Sequence, residues 1–355
     1  MTTPWILYGA NGYTGELIAA AAAAEGLRPL LAGRNAEALA RVGGRLGLEW
    51  RAFDLQGPDA LARHLEGAPL VLHAAGPFSA TSEPMVSACL KAGAHYLDIT
   101  GEVEVFEACK RRDAEAKARG VVVMPGVGFD VVPSDCLARA VAEALPGAIR
   151  LEMAFQALGS ISRGTMKTMI EHLGEGVLVR RGGELETVEA GSLARTVEFA
   201  GKPRRAVAIS WGDVSTAYHS TGIDDITVMM ALPPKQARGL KWMKLLGPLL
   251  RRRLIIKGLQ AIVDRTVTGP GEALREQGQA HLWAQVTAAD GRTLVGRLRT
   301  PEGYKTTVIT ALTCVRKVLA GEARAGYQTP SSAFGVDLIR GLPGFTLEIG
   351  PVQPG

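Results

Sequence analysis

Residues 5–15 read Trp-Ile-Leu-Tyr-Gly-Ala-Asn-Gly-Tyr-Thr-Gly, and residues 16–25 follow with six consecutive alanines. The four leading apolar residues are typical of a buried strand, and the alanine-rich segment favours a helix. Gly9, Gly12 and Gly15 therefore lie in the turn between these two elements. Glycines there allow a tight turn and close approach of backbone to phosphate, while the start of the helix offers unpaired N–H groups. The stretch predicts a strand–turn–helix unit that binds a dinucleotide.

The rest of the first half repeats this alternation of strand and helix. Further strands are predicted at residues 29–32, 50–53, 70–74, 96–99 and 121–124. Helices are predicted at residues 36–46, 84–92, 103–119 and 134–145, the last capped by Ser134 or Asp135. Because parallel strands need long crossovers, this alternation builds a parallel sheet with helices on both faces. We therefore predict an α/β fold whose first domain, residues 1–147, is a doubly wound Rossmann domain.

The pattern changes after Pro146-Gly147, where most segments become β-rich. Strands are predicted at residues 150–157, 184–188, 196–200, 206–210, 226–232 and 281–287, with a hairpin turn at Asp290-Gly291. A helix is predicted at residues 306–319. We expect residues 148–328 to form a second α+β domain built on an antiparallel sheet. Residues 329–355, with a Ser-capped helix in 329–342, are expected to pack back on the first domain.

The end of the second predicted strand bears on the choice between NAD and NADP. An NAD-binding domain usually carries Asp or Glu about 20 residues after the glycines, to hold the ribose hydroxyls. Here the strand ends Leu31-Ala-Gly-Arg34-Asn35, with no acidic residue. A guanidinium binds a 2′-phosphate through charge-assisted hydrogen bonds, whereas an exposed arginine with no ligand is the alternative. The segment predicts NADP(H) as the cofactor.

Other cofactor contacts are expected at the carboxyl ends of the strands, where open α/β sheets bind ligands. Asp54 ends the third strand on the adenine side, although an ordinary turn would explain it equally well. Ala75, Gly76 and Pro77 end the fourth strand, beside the point where the strand order reverses. The full set of predicted cofactor residues is Gly9, Asn11, Gly12, Tyr13, Thr14, Gly15, Arg34, Asn35, Asp54, Ala75, Gly76 and Pro77.

Candidate catalytic residues are fewer, because hydride transfer needs little beyond orientation and one proton donor or acceptor. Asp98 and Glu102 flank the end of the fifth strand, and Asp130 lies in the loop after the sixth. Tyr218, beside His219, is a protic candidate in the second domain. The structural alternatives are loop-stabilising and helix-capping hydrogen bonds for the carboxylates and a buried, satisfied pair for Tyr218 and His219.

Several motifs together resemble one family. They are Y-G-A-N-G-Y-T-G at 8–15, L-A-G-R-N at 31–35, A-A-G-P-F at 74–78, Y-L-D-I-T-G-E at 96–102 and M-P-G-V-G-F-D-V-V-P-S-D at 124–135. These residues resemble the saccharopine dehydrogenase-like oxidoreductases, which include bacterial trans-acting enoyl reductases. The resemblance implies an NADP(H)-binding Rossmann domain joined to an antiparallel domain that supports a homodimer. Short-chain dehydrogenases share the glycine pattern but need Tyr-x-x-x-Lys, and no tyrosine here has a lysine four residues later.

Composition excludes several other functions. The net charge of +5 arises from dispersed arginines without interleaved aromatic residues, which argues against nucleic-acid binding. Six histidines and four cysteines show no ligand spacing, so we predict reduced thiols and no metal. We expect a cytoplasmic protein, because a strand begins too near Met1 for a signal peptide. Residues 236–260 form a basic, amphipathic segment that either packs on its own domain or contacts an anionic membrane or an acyl chain.

These observations leave three functional hypotheses. The first is an NADP(H)-dependent oxidoreductase that reduces an unsaturated or acyl-type small molecule, lipid-like if residues 236–260 bind an acyl chain. The second is a saccharopine-type amino-acid dehydrogenase, which would hold several carboxylates through residues such as Arg163, Arg180 and Arg181. The third is a non-catalytic NADP(H)-binding sensor or scaffold, because the sequence carries no obvious catalytic constellation.

Overall fold

The computed structural model describes residues 4–157, 176–231 and 271–355, together with the isolated positions Met166, Ile256, Gly258, Ile262, Val263 and Thr266. The chain divides into two compact units, and neither is a single run of sequence. The first comprises Met1–Val132 and Tyr304–Gly335, and the second comprises Pro133–Gly303 and Val336–Gly355.

The first unit is built on a seven-stranded, wholly parallel sheet. Its strands are β1 (Ile6–Tyr8), β2 (Leu30–Gly33), β3 (Trp50–Ala52), β4 (Leu70–His73), β5 (His95–Asp98), β6 (Val122–Met124) and β15 (Gly326–Tyr327). The spatial order is β15-β6-β5-β4-β1-β2-β3, so the order reverses between β1 and β4. This is the predicted Rossmann arrangement, with one strand more than the sequence indicated. β15 was missed because two residues carry no periodicity.

Helices connect these strands; the helix at residues 58–65 was not predicted, and the one predicted at residues 84–92 begins at Phe78. They are α1 (Tyr13–Ala24), α2 (Ala36–Leu46), α3 (Pro58–Leu65), α4 (Phe78–Ala92), α5 (Val103–Arg111) and α6 (Asp113–Ala118). The bounds of α2 follow from local chemistry. Asn35 accepts a hydrogen bond from the N–H of Ala38 at its start, and Gly47, with φ of 63°, ends it in the left-handed region. The segment predicted as one helix at 103–119 is divided at Arg112 into α5 and α6.

The second unit contains a nine-stranded sheet that is mostly antiparallel. Its strands are β7 (Ala148–Ala157), β8 (Val177–Arg181), β9 (Glu184–Val188), β10 (Ala194–Phe199), β11 (Lys202–Ala208), β12 (Asp225–Ala231), β13 (Gln279–Ala288), β14 (Thr293–Pro301) and β16 (Thr346–Ile349). The main path runs β10-β11-β12-β7-β13-β14-β16, and only β7 and β12 pair in parallel. The hairpin at Asp290-Gly291 joins β13 and β14 as predicted.

The remaining helices are α7 (Val132–Ala144), α8 (Asp213–Thr221), α9 (Glu272–Gln277), α10 (Gly303–Leu319) and α11 (Pro330–Phe334), followed by a 3-10 turn at Val336–Leu338. α7 packs on the second sheet. Gly296 of β14 lies so close to α7 that a Cβ on this glycine would be 3.0 Å from Leu137 Cδ1. α8 was not predicted. Its β-branched and hydroxyl residues have modest helix propensity, and burial of one face stabilises it instead.

Two predicted boundaries are wrong. The first unit ends at Val132 rather than near residue 147, since α7 belongs with the second sheet. The tail is also shared between units. α11 remains with the first unit and is capped by Thr329 rather than by a serine, whereas β16 pairs with β14 of the second sheet. Edge pairing of β16 supplies backbone hydrogen bonds that the expected packing on the first domain would not.

All four cysteines are free and buried. Among the residues that the structure describes, no helix combines the length and apolar character needed to cross a membrane. The amphipathic segment at 236–260 lies outside the described residues except for Ile256 and Gly258, as does Arg163.

Candidate functional site

The glycine-rich turn joins β1 to α1 in a conformation that only glycine tolerates at two positions. Gly9 has φ of +86°, and a Cβ there would lie 2.8 Å from both Ala74 C and Ala75 N. A Cβ on Gly15 would lie 2.9 Å from Ala10 Cα and would overlap the carbonyl oxygen of Gly9. Both glycines therefore allow α1 and the end of β4 to pack directly on the turn.

The first turn of α1 is open for a ligand. Gly12, the N-cap residue, is exposed and has no side chain to bond the N–H groups of the first turn. Tyr13 and Thr14 begin the helix and are half-exposed, and Asn11 precedes it with its Oδ1 close above Gly33. A helix start with uncapped N–H groups and a partial positive charge fits the pyrophosphate of a dinucleotide.

Arg34 follows directly after β2 and is exposed. Within the described part of the chain, no residue forms a hydrogen bond or an ion pair with its guanidinium. Its charge lowers the pKa of the Tyr8 hydroxyl, and Asp54 raises it, but burial dominates and brings that pKa to about 12. Arg34 therefore lies near the end of β1 with its donors available to an anion.

The two neighbouring polar residues have local roles. Asn35 Oδ1 accepts from the N–H of Ala38 at 3.0 Å, so this oxygen caps α2 and is not available to the cofactor. Asp54 Oδ1 accepts from the N–H of Gln56 at 3.1 Å, which is the turn chemistry weighed as its alternative. Both side chains remain exposed at the adenosine end of the sheet edge.

Two side chains hold the loop Ala75-Gly76-Pro77 after β4, the buried His73 and the half-buried Thr81. Thr81 Oγ1 donates to the carbonyl of Ala75 at 2.7 Å, and His73 Nε2 lies 3.0 Å from the same hydroxyl. Because the hydroxyl proton is used toward Ala75, His73 donates from Nε2. Burial lowers the pKa of His73 to about 3, so its ring is neutral. Sequence analysis did not identify either residue.

Asp98, one of the predicted catalytic residues, is fully buried. Its carboxylate accepts from the hydroxyl of Tyr96 at 2.6 Å and from the N–H groups of Thr100 and Gly126 at 2.9 and 2.8 Å. Burial raises the pKa of Asp98 to about 6, against the opposing effect of these hydrogen bonds. Through these hydrogen bonds Asp98 joins the loops after β5 and β6.

Glu102, another of the predicted catalytic residues, holds the start of α4. Its two carboxylate oxygens accept from the N–H groups of Phe78 and Ser79 at 2.9 and 2.6 Å. These are the first donors of α4, whose N-cap residue, Pro77, supplies no side-chain acceptor. Only 6% of Glu102 is exposed. The carboxylate thus stabilises the helix start that follows the Ala75-Gly76-Pro77 loop.

Asp130 is the carboxylate best placed for proton transfer. It is half-buried in the loop after β6, and its Oδ2 lies 2.9 Å from where a Cβ on Gly101 would be. Burial, and then the charge of Glu102, raise the pKa of Asp130 to about 7. An acid with partial exposure and a pKa near neutrality is suited to general acid–base chemistry.

Tyr218 lies in the second unit, on α8. The guanidinium of Arg180 sits 4.2 Å from the centre of its ring, and the ring of His219 lies 5.4 Å away. Arg180 donates to the carbonyls of Val214 and Gly183 at 2.7 and 2.6 Å. Tyr218 is half-exposed within this packed group, so the pair with His219 is not the buried one given as its structural alternative.

Arg180 and Arg181, two of the three arginines considered for binding substrate carboxylates, are engaged within their own unit. Arg180 is only 4% exposed. Arg181 donates to the carbonyl of Arg180 and to Thr227 Oγ1, both at 2.9 Å. Neither guanidinium presents a pair of N–H groups that could donate two parallel hydrogen bonds to a carboxylate.

The arrangement of the first unit defines a class: a Rossmann protein that binds a nicotinamide dinucleotide. Residues 5–124 match the family model for the saccharopine dehydrogenase NADP binding domain. This part of the chain is therefore similar to the NADP-binding domain of that family.

Curated relatives match the same part of the chain. A trans-acting enoyl reductase of Mycobacterium leprae is 35% identical over 138 residues, which is 37% of this chain and 33% of that protein. A probable mitochondrial saccharopine dehydrogenase-like oxidoreductase of Arabidopsis thaliana is 32% identical over 152 residues, which is 37% of this chain and 32% of that protein. The matched region thus spans about a third of the length of these relatives.

One solved structure shares the fold across both units. The apo saccharopine dehydrogenase (L-Glu forming) from Saccharomyces cerevisiae superposes with a TM-score of 0.66, covering 98% of this chain and 100% of that one. Its sequence identity of 13% means that the likeness shows the fold alone. The fold is therefore α/β, with a parallel Rossmann-like sheet and a second, mostly antiparallel sheet.

Proposed function

We propose that this protein is an NADP(H)-dependent oxidoreductase that reduces an unsaturated or acyl-type small molecule by hydride transfer. The observation that carries the cofactor choice is Arg34. It places an exposed guanidinium, with no partner among the described residues, at the end of β2, where an NAD-binding domain would carry an acid. A 2′-phosphate would be bound there by charge-assisted hydrogen bonds.

Different residues of the first unit would bind the cofactor and exchange the proton in such a reaction. The uncapped first turn of α1 would bind the pyrophosphate, and Arg34 would bind the 2′-phosphate. When bound, NADPH supplies a hydride from its nicotinamide ring. Asp130 would exchange the accompanying proton, because its pKa of about 7 allows it both to hold and to release a proton near neutrality.

Support for an acyl-type substrate comes from two directions. Relatives named trans-acting enoyl reductase match the cofactor domain at 35% and 36% identity. The saccharopine-type alternative needs arginines that converge on carboxylates, and Arg180 and Arg181 are occupied by carbonyl and hydroxyl acceptors of their own unit.

A non-catalytic sensor is the second candidate. It is favoured by the structural use of Asp98 and Glu102, which leaves Asp130 as the one predicted carboxylate with both exposure and a near-neutral pKa. The two candidates differ in turnover, since a sensor would bind NADPH without oxidising it in the presence of any substrate.

The test is calorimetric titration of the purified protein with NADPH, NADP⁺, NADH and NAD⁺ in parallel. We expect the phosphorylated pair to bind at least about tenfold more tightly, equivalent to about 1.4 kcal/mol. Enoyl thioesters of increasing chain length are then added with NADPH, and cofactor oxidation is followed by absorbance. Oxidation that is lost in Asp130→Asn supports the reductase. Tight binding without oxidation by any thioester supports the sensor, and the absence of all binding rejects both.

A further inference from the structure

α10 was predicted as a helix from residue 306, and its start, residues 303–307, was not predicted as part of any site. Thr307 Oγ1 accepts from the N–H of Phe129 at 3.0 Å, and Thr310 Oγ1 donates to the carbonyl of Val127 at 2.9 Å. Both threonines are buried. These bonds attach the first turns of α10 to the loop after β6, the loop that carries Asp130.

The same helix start also touches the glycine-rich turn. The ring of Tyr304 meets the ring of Tyr13 edge to face, with centroids 5.0 Å apart and an interplanar angle of 82°. Tyr13 is the first residue of α1 and follows the exposed N-cap Gly12. Both rings are half-exposed. Tyr304 is therefore in contact with the element that would bind the pyrophosphate.

The far end of α10 fixes its direction. Arg316, four turns along the helix, forms an ion pair with Glu25, the C-cap residue of α1. Contacts at both ends show that α10 runs beside α1 in the same direction. The two helices therefore begin at the same edge of the sheet, the edge formed by the carboxyl ends of the strands.

Sheet order locates the Tyr13–Tyr304 contact relative to a bound dinucleotide. β4 and β5 lie between β1 and β6, so the glycine-rich turn and the loop after β6 are separated by about 14 Å, three strand spacings. α10 begins in contact with both. Arg34 lies on the opposite side of β1, at the end of β2. A dinucleotide with its 2′-phosphate at Arg34 and its pyrophosphate at α1 must extend its nicotinamide half toward β4 and Tyr304.

We propose that Tyr304, packed against Tyr13, forms the wall that holds the nicotinamide half of NADP(H). This inference rests on the proposed function and adds a residue that the glycine motif does not contain. Two rings in edge-to-face contact give a rigid apolar surface for a planar heterocycle, beside the loop that carries Asp130. Tyr304 is thus a positioning residue for the nicotinamide.

The experiment compares two ligands that share the adenosine half. NADPH and adenosine 2′,5′-bisphosphate are titrated into the wild type, Tyr304→Ala and Tyr304→Phe. Leu319→Ala, an exposed position at the other end of α10, is the matched control. We expect Tyr304→Ala to weaken NADPH binding about tenfold and to leave the bisphosphate within about twofold of wild type, while Tyr304→Phe and Leu319→Ala resemble wild type for both ligands.

A spectroscopic measurement adds a readout that a purely structural role would not change. NADPH bound to the wild type is expected to fluoresce more strongly than free NADPH, and this enhancement should fall in Tyr304→Ala at saturating cofactor. Wild-type affinity and fluorescence in Tyr304→Ala would overturn the inference, as would an equal loss of both ligands. If the wild type binds the bisphosphate no better than adenosine 5′-monophosphate, the proposed NADP(H) function fails first, and the inference fails with it.

Discussion

Glu102 Oε2 lies 2.6 Å from the backbone nitrogen of Ser79, and this hydrogen bond joins the loop after β5 to the first turn of α4. The other carboxylate oxygen bonds the N–H of Phe78. One side chain thereby satisfies two donors of a helix whose N-cap, Pro77, has no polar side chain. The loop that precedes α4, Ala75-Gly76-Pro77, is predicted to contact the cofactor, and its geometry depends on Glu102.

Replacing this carboxylate should weaken the helix start. Glu102→Gln keeps one acceptor oxygen but loses the second oxygen and the negative charge at the helix N-terminus. We therefore expect the free energy of unfolding to fall by about 1 kcal/mol. Urea denaturation measures this difference. Glu66→Gln, an exposed position after α3, should leave the midpoint unchanged. Equal stability of Glu102→Gln and wild type would show that the two hydrogen bonds contribute nothing net.

The parts of this site that could be predicted are those encoded by neighbouring residues. The glycine-rich turn, α1 and the bounds of α2 follow from side chains within a few positions of one another. The capping role of Glu102 could not be predicted, because its two partners lie 23 and 24 residues earlier in the chain. A carboxylate at the end of a strand is equally compatible with catalysis and with loop support until its burial is known.

Contacts between residues that are far apart in the sequence could not be predicted either. Thr307 and Phe129 are 178 residues apart, and no local pattern indicates that they meet. The spacing of Thr306, Thr307 and Thr310 places three hydroxyl residues on one face of a helix, which was the available signal. Similarly, β15 adds two residues to the Rossmann sheet through pairing with β6, a contact that only the tertiary fold brings about.

Asp130 should make stability depend on pH. Its pKa is about 7 in the folded protein and about 4 when unfolded, so between these values the folded state holds a proton that the unfolded state has released. Its contribution to stability is therefore complete below about pH 4 and is lost as pH rises to about 7. An asparagine does not titrate, so this pH-dependent loss of stability is absent in Asp130→Asn. Relative to wild type, the variant should gain up to about 1.4 kcal/mol per pH unit over that range.

Urea unfolding at about pH 5 and about pH 8 measures the difference, because those values lie on either side of the folded pKa. Asp59→Asn is a suitable comparison. Lys91 holds the pKa of that exposed carboxyl below its ordinary value, so its substitution should not produce a gain that grows with pH. A parallel pH dependence in Asp130→Asn and wild type would contradict the raised pKa of Asp130.

Arg34 should discriminate between phosphorylated and unphosphorylated cofactors. Arg34→Ala removes the guanidinium proposed to bind the 2′-phosphate, so NADPH affinity should fall about tenfold to a hundredfold while NADH affinity changes by less than about threefold. Titration calorimetry with both cofactors gives the ratio. Arg41→Ala removes an exposed arginine of α2 and should alter neither affinity. An equal loss of both cofactors in Arg34→Ala would remove the basis for assigning NADP(H).

Two helical glycines, Gly15 in α1 and Gly44 in α2, should respond to the same substitution in opposite ways. In Gly15→Ala the new methyl group would meet backbone atoms of Gly9 and Ala10, the latter at 2.9 Å, so α1 must shift from the turn. We expect a loss of about 1–3 kcal/mol of stability and of most dinucleotide binding.

In Gly44→Ala the methyl group would have no atom within 4 Å, and the position is an exposed part of α2. That variant should gain up to about 1 kcal/mol because alanine favours the helix, and it should bind NADPH as wild type does. Thermal unfolding with and without NADPH separates the two effects. Retained NADPH stabilisation in Gly15→Ala would mean that the close packing of α1 on the turn is not what holds the pyrophosphate.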